Sequence, residues 1–127
     1  QGGRLTTLPL EHPGGAVGFR LDWPGHSMAY VTDTWGLPDA PYAQKIQDVD
    51  LLVHECFFGD EQAEWARTTG HTYTTHVAEI ARRARAKRLV LIHINPLEDG
   101  PDPIGLGAAQ AIFPATQVGE DGLEVEF

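Results

Sequence analysis

A chain of 127 residues, 42% hydrophobic and 21% charged, is long enough for one domain with its own core, too short for two ordinary ones, and too apolar for a disordered segment. Eighteen acidic residues against nine basic ones give a formal net charge of −9, which argues against a surface built mainly for the nucleic-acid backbone. The single cysteine, Cys56, excludes an internal disulfide, and no apolar run approaches the roughly 20 residues that a bilayer crossing needs.

A reducing, cytoplasmic setting with no membrane partner is therefore expected. The start, Gln1-Gly2-Gly3, has no initiator methionine and no secretory signal; it reads as a processed product or a segment of a larger chain. Residues 5–10 read as a short strand, and Glu11-His12-Pro13-Gly14-Gly15 as the turn after it. Residues 17–21 and 28–32 are the arms of a hairpin closed by Trp23-Pro24-Gly25-His26, with Asp33 at the end of the second arm. Gly, Pro and Asp make residues 34–41 a loop before a short helix over 42–46. Residues 50–54 are almost wholly apolar, the pattern of a strand covered on both faces.

A helix is predicted over residues 60–67, with Asp60 accepting from the free amides of its own first turn. Gly70-His71-Thr72 interrupts the chain. Val77, Ile80, Ala81 and Ala84 then recur at spacings of three or four, which predicts a helix over 73–86 with one buried stripe. Arg82, Arg83, Arg85, Lys87 and Arg88 form a basic patch, either a phosphate contact or a solvated helix face. A second apolar strand over 89–92 runs into His93-Ile94-Asn95-Pro96. A loop rich in Pro, Gly and Asp leads to a helix over 106–113, and strands over 116–118 and 123–127 close the chain around Glu120-Asp121-Gly122. Alternating strands and helices predict an α/β layer structure, as one domain or half of a larger one.

His12, Asp33, His71 and His93 each stand at a strand end or in a Gly-bounded loop, where a rigid scaffold presents ligands. Imidazole nitrogen and carboxylate oxygen suit Zn²⁺ or, with more oxygen, Mn²⁺ or Fe²⁺. Separations of 21, 38 and 22 positions mean that only the fold can gather them. The competing readings are local: His12 as a turn cap, and Asp33 and His93 as capping or satisfied strand-end groups. His26 reads as an exposed turn residue and His76 as a surface or first-turn helix residue. Trp23, Trp35 and Trp65 read as packing groups, with Trp35 also placed to wall a pocket near Asp33.

Taken in order, Leu10-Glu11-His12-Pro13-Gly14-Gly15-Ala16-Val17-Gly18-Phe19-Arg20, Met28-Ala29-Tyr30-Val31-Thr32-Asp33-Thr34, Asp50-Leu51-Leu52-Val53-His54-Glu55, Gly70-His71-Thr72 and Arg88-Leu89-Val90-Leu91-Ile92-His93 resemble successive motifs of the ribonuclease Z-like phosphodiesterase branch of the metallo-β-lactamase superfamily. The resemblance implies that residues 1–127 are the C-terminal half of an αββα sandwich, one mixed sheet with helices on its outer face, and that the N-terminal half is absent from this chain. It implies a metal-dependent hydrolase with two divalent ions, zinc foremost and Mn or Fe as alternatives. His12 would be the third histidine of the first metal, Asp33 the bridge between the two, and His93 the terminal histidine of the second. His71 would lie outside the metals, placing a phosphate or passing a proton, and Glu55 of the His54-Glu55 pair would orient another imidazole.

The family's His-x-His-x-Asp-His cluster is absent, and no His-x-His occurs anywhere in the chain. A companion chain or fragment bearing that cluster is therefore implied, with the isolated chain inactive; homo-oligomerisation stays open. A lone half would also leave one sheet face without the opposing sheet that packs about 10 Å away. Several activities remain open: RNA 3′ processing, cleavage of a small phosphodiester, lactone or thioester hydrolysis, or a noncatalytic structural or binding role.

Overall fold

A computed structural model of the chain describes residues 2–127, and the start at Gln1 lies outside them. Three strands come first, β1 (Arg4–Leu10), β2 (Ala16–Trp23) and β3 (His26–Val31), each antiparallel to the one before. The β2–β3 hairpin closes on Pro24-Gly25, where Gly25 adopts a φ of 86° that a side chain would resist. From β3 onward the strands run parallel, so each connection must cross the sheet through a helix. Helix α1 (Pro41–Lys45) leads to β4 (Leu51–Glu55). A 3-10 turn over Asp60–Gln62, α2 (Ala63–Thr69) and α3 (Thr74–Arg83) lead to β5 (Arg88–Ile92), and α4 (Leu106–Ile112) leads to β6 (Thr116–Val118). The result is one mixed six-stranded sheet in the order β1-β2-β3-β4-β5-β6, the α/β arrangement expected from the alternation of elements.

One face of this sheet carries the core. Leu8, Val31, Leu52, Leu89 and Leu91 pack against Ile46 and against the apolar stripe of α3, Val77, Ile80, Ala81 and Ala84. Strand side chains alternate between faces, so the register partners Leu5↔Leu21, Phe19↔Tyr30 and Leu21↔Met28 share the other face. There Leu5 is 59% and Tyr30 40% exposed. The C-terminal segment covers part of that face: Leu123 and Val125 line one cavity with Leu51, Val53 and Val90, and Arg88 donates to the Glu126 carbonyl at 2.6 Å.

That packing corrects the strand expected over residues 123–127. The chain turns at Glu120, whose carbonyl accepts from the Leu123 amide at 2.9 Å, and the alternation of Leu123 and Val125 seats two side chains on the sheet instead of pairing a backbone. Asp60 is a second correction. It makes no cap to its own helix; its Oδ1 instead accepts from the Thr75 amide at 2.8 Å and the Thr75 hydroxyl at 3.0 Å, in the first turn of α3. Helix α3 also stops short of residue 86, because Arg85 takes a left-handed φ of 53°.

Much of the basic patch is paired internally: Glu79 accepts from Arg82 and Arg83, Asp48 from Arg85 and Asp50 from Lys87, the arrangement of a solvated face. Trp65 is not a packing group, at 61% exposure, and Trp23, at 42%, is only partly packed.

Candidate metal centre

Parallel strands bring their carboxyl ends to one edge of a sheet, where loops leave room for a ligand. Here β3, β4 and β5 lie side by side, and just past or at their ends stand Asp33, Glu55 and His93. His71 enters from the loop before α3, and His12 from the turn after β1.

Asp33, His71 and His93 each offer a ligand atom, and these atoms lie within 4.8 Å of one another. His93 Nδ1 is 2.5 Å from Asp33 Oδ1. The Thr32 hydroxyl donates to the Asp33 carboxylate and lies 3.2 Å from His93 Nδ1. The His71 ring sits 5.3 Å from that of His93 and 5.1 Å from that of His12, centroid to centroid. Phe57 stacks on His71 at 4.5 Å and meets His93 edge-on at 5.1 Å. His93 holds a φ of 55°, a conformation that costs a non-glycine residue on the order of 1–3 kcal/mol and recurs where a ligand site constrains the backbone.

Behind this cluster lies Glu55, fully buried. Its Oε1 accepts from the Thr34 amide at 2.8 Å and from His71 Nδ1 at 2.9 Å; its Oε2 accepts from the Thr72 amide at 3.0 Å and the Phe57 amide at 3.3 Å. With the proton of His71 held on Nδ1, its Nε2 keeps the lone pair. His12 is set the same way, because its Nδ1 donates to the Gly70 carbonyl at 2.9 Å. Second partners of this kind, on the nitrogen away from a metal, orient imidazole ligands and raise their basicity. Gly70 is required there: its φ is +81°, and a Cβ would come within 2.4 Å of Pro13 Cδ.

The charges fit a cation. Partial burial acts to raise the Asp33 carboxyl, but the Thr32 hydroxyl and the neighbouring His93 and His71 outweigh it and hold the group below the usual carboxylate range. The hydrogen bond from His71 to Glu55 pushes that imidazole up, against the opposing effect of burial. Two imidazoles and a carboxylate are a donor set for zinc or a similar divalent ion. Cys56 adds nothing, since burial pushes its thiol up to about 12 and the thiolate is the form that ligates or attacks.

The cluster thus has His71, expected outside the metal set, while His12, expected inside it, stands one ring further out. Glu55 meets an imidazole, and that imidazole is His71. His54 faces the core: its Nδ1 donates to the Glu55 carbonyl at 2.7 Å, its Nε2 accepts from the Tyr42 hydroxyl at 2.9 Å, and burial keeps it below the ordinary histidine value. His26 is exposed, with its ring 6.3 Å from that of Phe127. His76 is in the first turn of α3 but half-buried, stacked on Tyr73 at 4.4 Å. Thr32 and Phe57 carry no functional signal of their own in the sequence beyond their places one residue before Asp33 and two after Glu55.

A family model described as "Beta-lactamase superfamily domain" matches residues 2–94, a span that contains His12, Asp33, His71 and His93. The chain belongs to the metallo-β-lactamase superfamily. Within the superfamily it is homologous to ribonuclease Z: it is 36% identical to the Ribonuclease Z of Methanosarcina acetivorans over 104 residues, 81% of this chain and 33% of that one. To the Ribonuclease BN of Cronobacter sakazakii it is 39% identical over 103 residues, 80% and 33% of the two chains. The metallo-β-lactamase fold protein YhfI from Bacillus subtilis superposes with a TM-score of 0.82 at 23% identity, over 95% of this chain and 48% of that one. Human tRNase Z, short form, superposes with a TM-score of 0.68 at 29% identity, over 72% and 36%. The chain therefore spans about a third of the length of these curated relatives. Among the described residues no helix is long and apolar enough to cross a membrane.

Proposed function

We propose that this chain is the C-terminal half of a metallo-β-lactamase-fold phosphodiester hydrolase of the ribonuclease Z kind. The observation that carries the reading is the meeting of Asp33, His71 and His93 at one sheet edge, with Glu55 fixing the His71 ring from behind. Asp33 and His93 would hold a divalent ion, zinc foremost, and Asp33 and His12 would help to hold a second. The remaining ligands come from a companion stretch with the His-x-His-x-Asp-His cluster. The exposed face around Leu5 and Tyr30 and the relatives' greater length support that division into halves.

When bound, such ions supply Lewis acidity toward a phosphoryl oxygen and toward water. The protein side of the chemistry belongs to His71. Glu55 holds a proton on Nδ1 and raises the affinity of the ring for a second one, so Nε2 is suited to protonate a leaving alkoxide oxygen. Phe57, stacked on the ring, keeps water from one of its faces. A second reading is favoured by the cluster itself: a single ion held by Asp33, His71 and His93 together, with His71 a ligand and not an acid. Zinc binding by His71→Ala separates the two readings, surviving in the first and failing in the second.

Hydrolysis of bis(p-nitrophenyl) phosphate by the chain combined with a companion half tests the assignment. Zinc-dependent turnover is expected, and Asp33→Ala should lower it at least 100-fold, the usual size of loss when a charge-stabilising group is removed. Undiminished turnover in that variant, or faster cleavage of a lactone or thioester than of any phosphodiester, would refute it. Precursor tRNA and cyclic nucleotides in the same panel separate RNA processing from small-phosphodiester cleavage.

A further inference from the structure

Beside the metal centre, a cavity of about 300 Å³ opens between His12, Trp35 and the last turn of α2, where Arg67 stands. That volume is at the lower end of the range for small-molecule sites. Its walls are tied to the centre. Trp35 donates its amide to the Glu11 carbonyl at 2.8 Å, and His12 donates to the Gly70 carbonyl at the end of α2. The Trp35 ring rests against His76, 5.4 Å between centroids.

Arg67 is unusual in this chain. Among the described residues the other arginines and Lys87 are engaged: Arg4 and Arg20 with Asp22, Arg82 and Arg83 with Glu79, Arg85 with Asp48, Lys87 with Asp50, and Arg88 with the Glu126 carbonyl. Arg67 and Lys45 have neither an ion pair nor a side-chain hydrogen bond among those residues. Lys45 ends α1 and is not among the residues that line the cavity, whereas Arg67 lines it. In a chain with a net charge of −9, this exposed guanidinium on the cavity wall is free to take an anion that arrives with the substrate. Glu11, the one carboxylate among the lining residues, opposes an anion, so a phosphate must seat on the Arg67 side.

We infer that this cavity is a nucleotide subsite, in which Arg67 takes a phosphate additional to the one under attack and Trp35 takes a base by stacking. Guanidinium matches phosphate through paired N–H donors, and an indole face accepts any base. The inference rests on the phosphodiesterase reading and deepens it by giving two residues outside the metal cluster a part in substrate binding.

Calorimetric titration of the full chain, with and without zinc, against adenylyl-adenosine and its 5′- and 3′-phosphorylated forms tests the subsite. The cavity is formed by this chain alone, so the titration needs no companion. One phosphorylated probe should bind about tenfold more tightly than the unphosphorylated one, the weight of one charge-assisted contact. Arg67→Ala should abolish that preference and Lys45→Ala, which removes the same charge elsewhere, should keep it. Trp35→Leu, checked for folding by circular dichroism, should weaken all three probes about tenfold. Absence of binding, absence of a preference, a preference that survives Arg67→Ala, or one lost equally in Lys45→Ala would overturn the phosphate role; unchanged affinity in Trp35→Leu would overturn the stacking role. Zinc binding without phosphate preference sinks the subsite alone, and phosphate preference without zinc binding sinks the metal reading alone.

Discussion

Both carboxylate oxygens of Glu55 are buried, and between them they accept from His71 and from the amides of Thr34, Thr72 and Phe57. These donors belong to the loops after β3 and β4 and before α3, so one side chain joins the segments that frame the metal centre. Glu55→Gln replaces one acceptor oxygen by an NH₂ that faces a donor, and should cost on the order of 3 kcal/mol in chemical denaturation. The pH dependence has a definite sign. The folded state raises the His71 affinity for a proton, so the contribution of this pair to stability is complete below the unfolded value of about 6.5 and declines as pH rises through the higher native value. NMR titration of the metal-free protein should show a raised His71 midpoint that falls in Glu55→Gln; equal midpoints would contradict the pairing.

Helix α3 illustrates what a linear reading recovers and what it misses. Its apolar stripe, Val77, Ile80, Ala81 and Ala84, is readable from spacing alone and is fully buried. Its N-terminal cap is not, because the acceptor for the Thr75 amide is Asp60, 15 positions earlier. A carboxylate just ahead of a helical pattern is naturally assigned to the nearest free amides; here the 3-10 turn at Asp60–Gln62 directs it to a later helix. Asp60→Ala should therefore destabilise the fold by about 1 kcal/mol, and amide exchange should quicken in the first turn of α3 more than in α2. Faster exchange confined to α2 would restore the local assignment. The strand expected over 123–127 failed for a related reason: alternation reveals that one face is buried, not whether the backbone is paired.

The site was legible in part on the same terms. His12, Asp33, His71 and His93 stood out because titratable residues end apolar strands or sit in Gly-bounded loops. Which of them converge depends on the edge of a sheet assembled from distant segments, and so the place of His71 beside Asp33 and His93 was not visible. Thr32 and Phe57 are common residue types with no spacing signal, and the anion-facing role of Arg67 emerges only once the partners of the other basic side chains are known.

At the scale of the whole molecule, one sheet face is packed by helices and the other is covered only where the C-terminal segment crosses β4 and β5. The functional edge runs between these faces, at the carboxyl ends of three parallel strands, so it is framed by this chain yet open toward a second body. Zinc titration of the full chain by calorimetry, with X-ray absorption at the zinc edge, tests most directly whether that edge is a metal centre. Bound zinc with a nitrogen and oxygen shell that includes imidazole is predicted, and it should be lost in Asp33→Ala and His93→Ala variants that keep the wild-type circular dichroism. Zinc bound equally well by both variants, or no zinc bound by the folded chain, would contradict it.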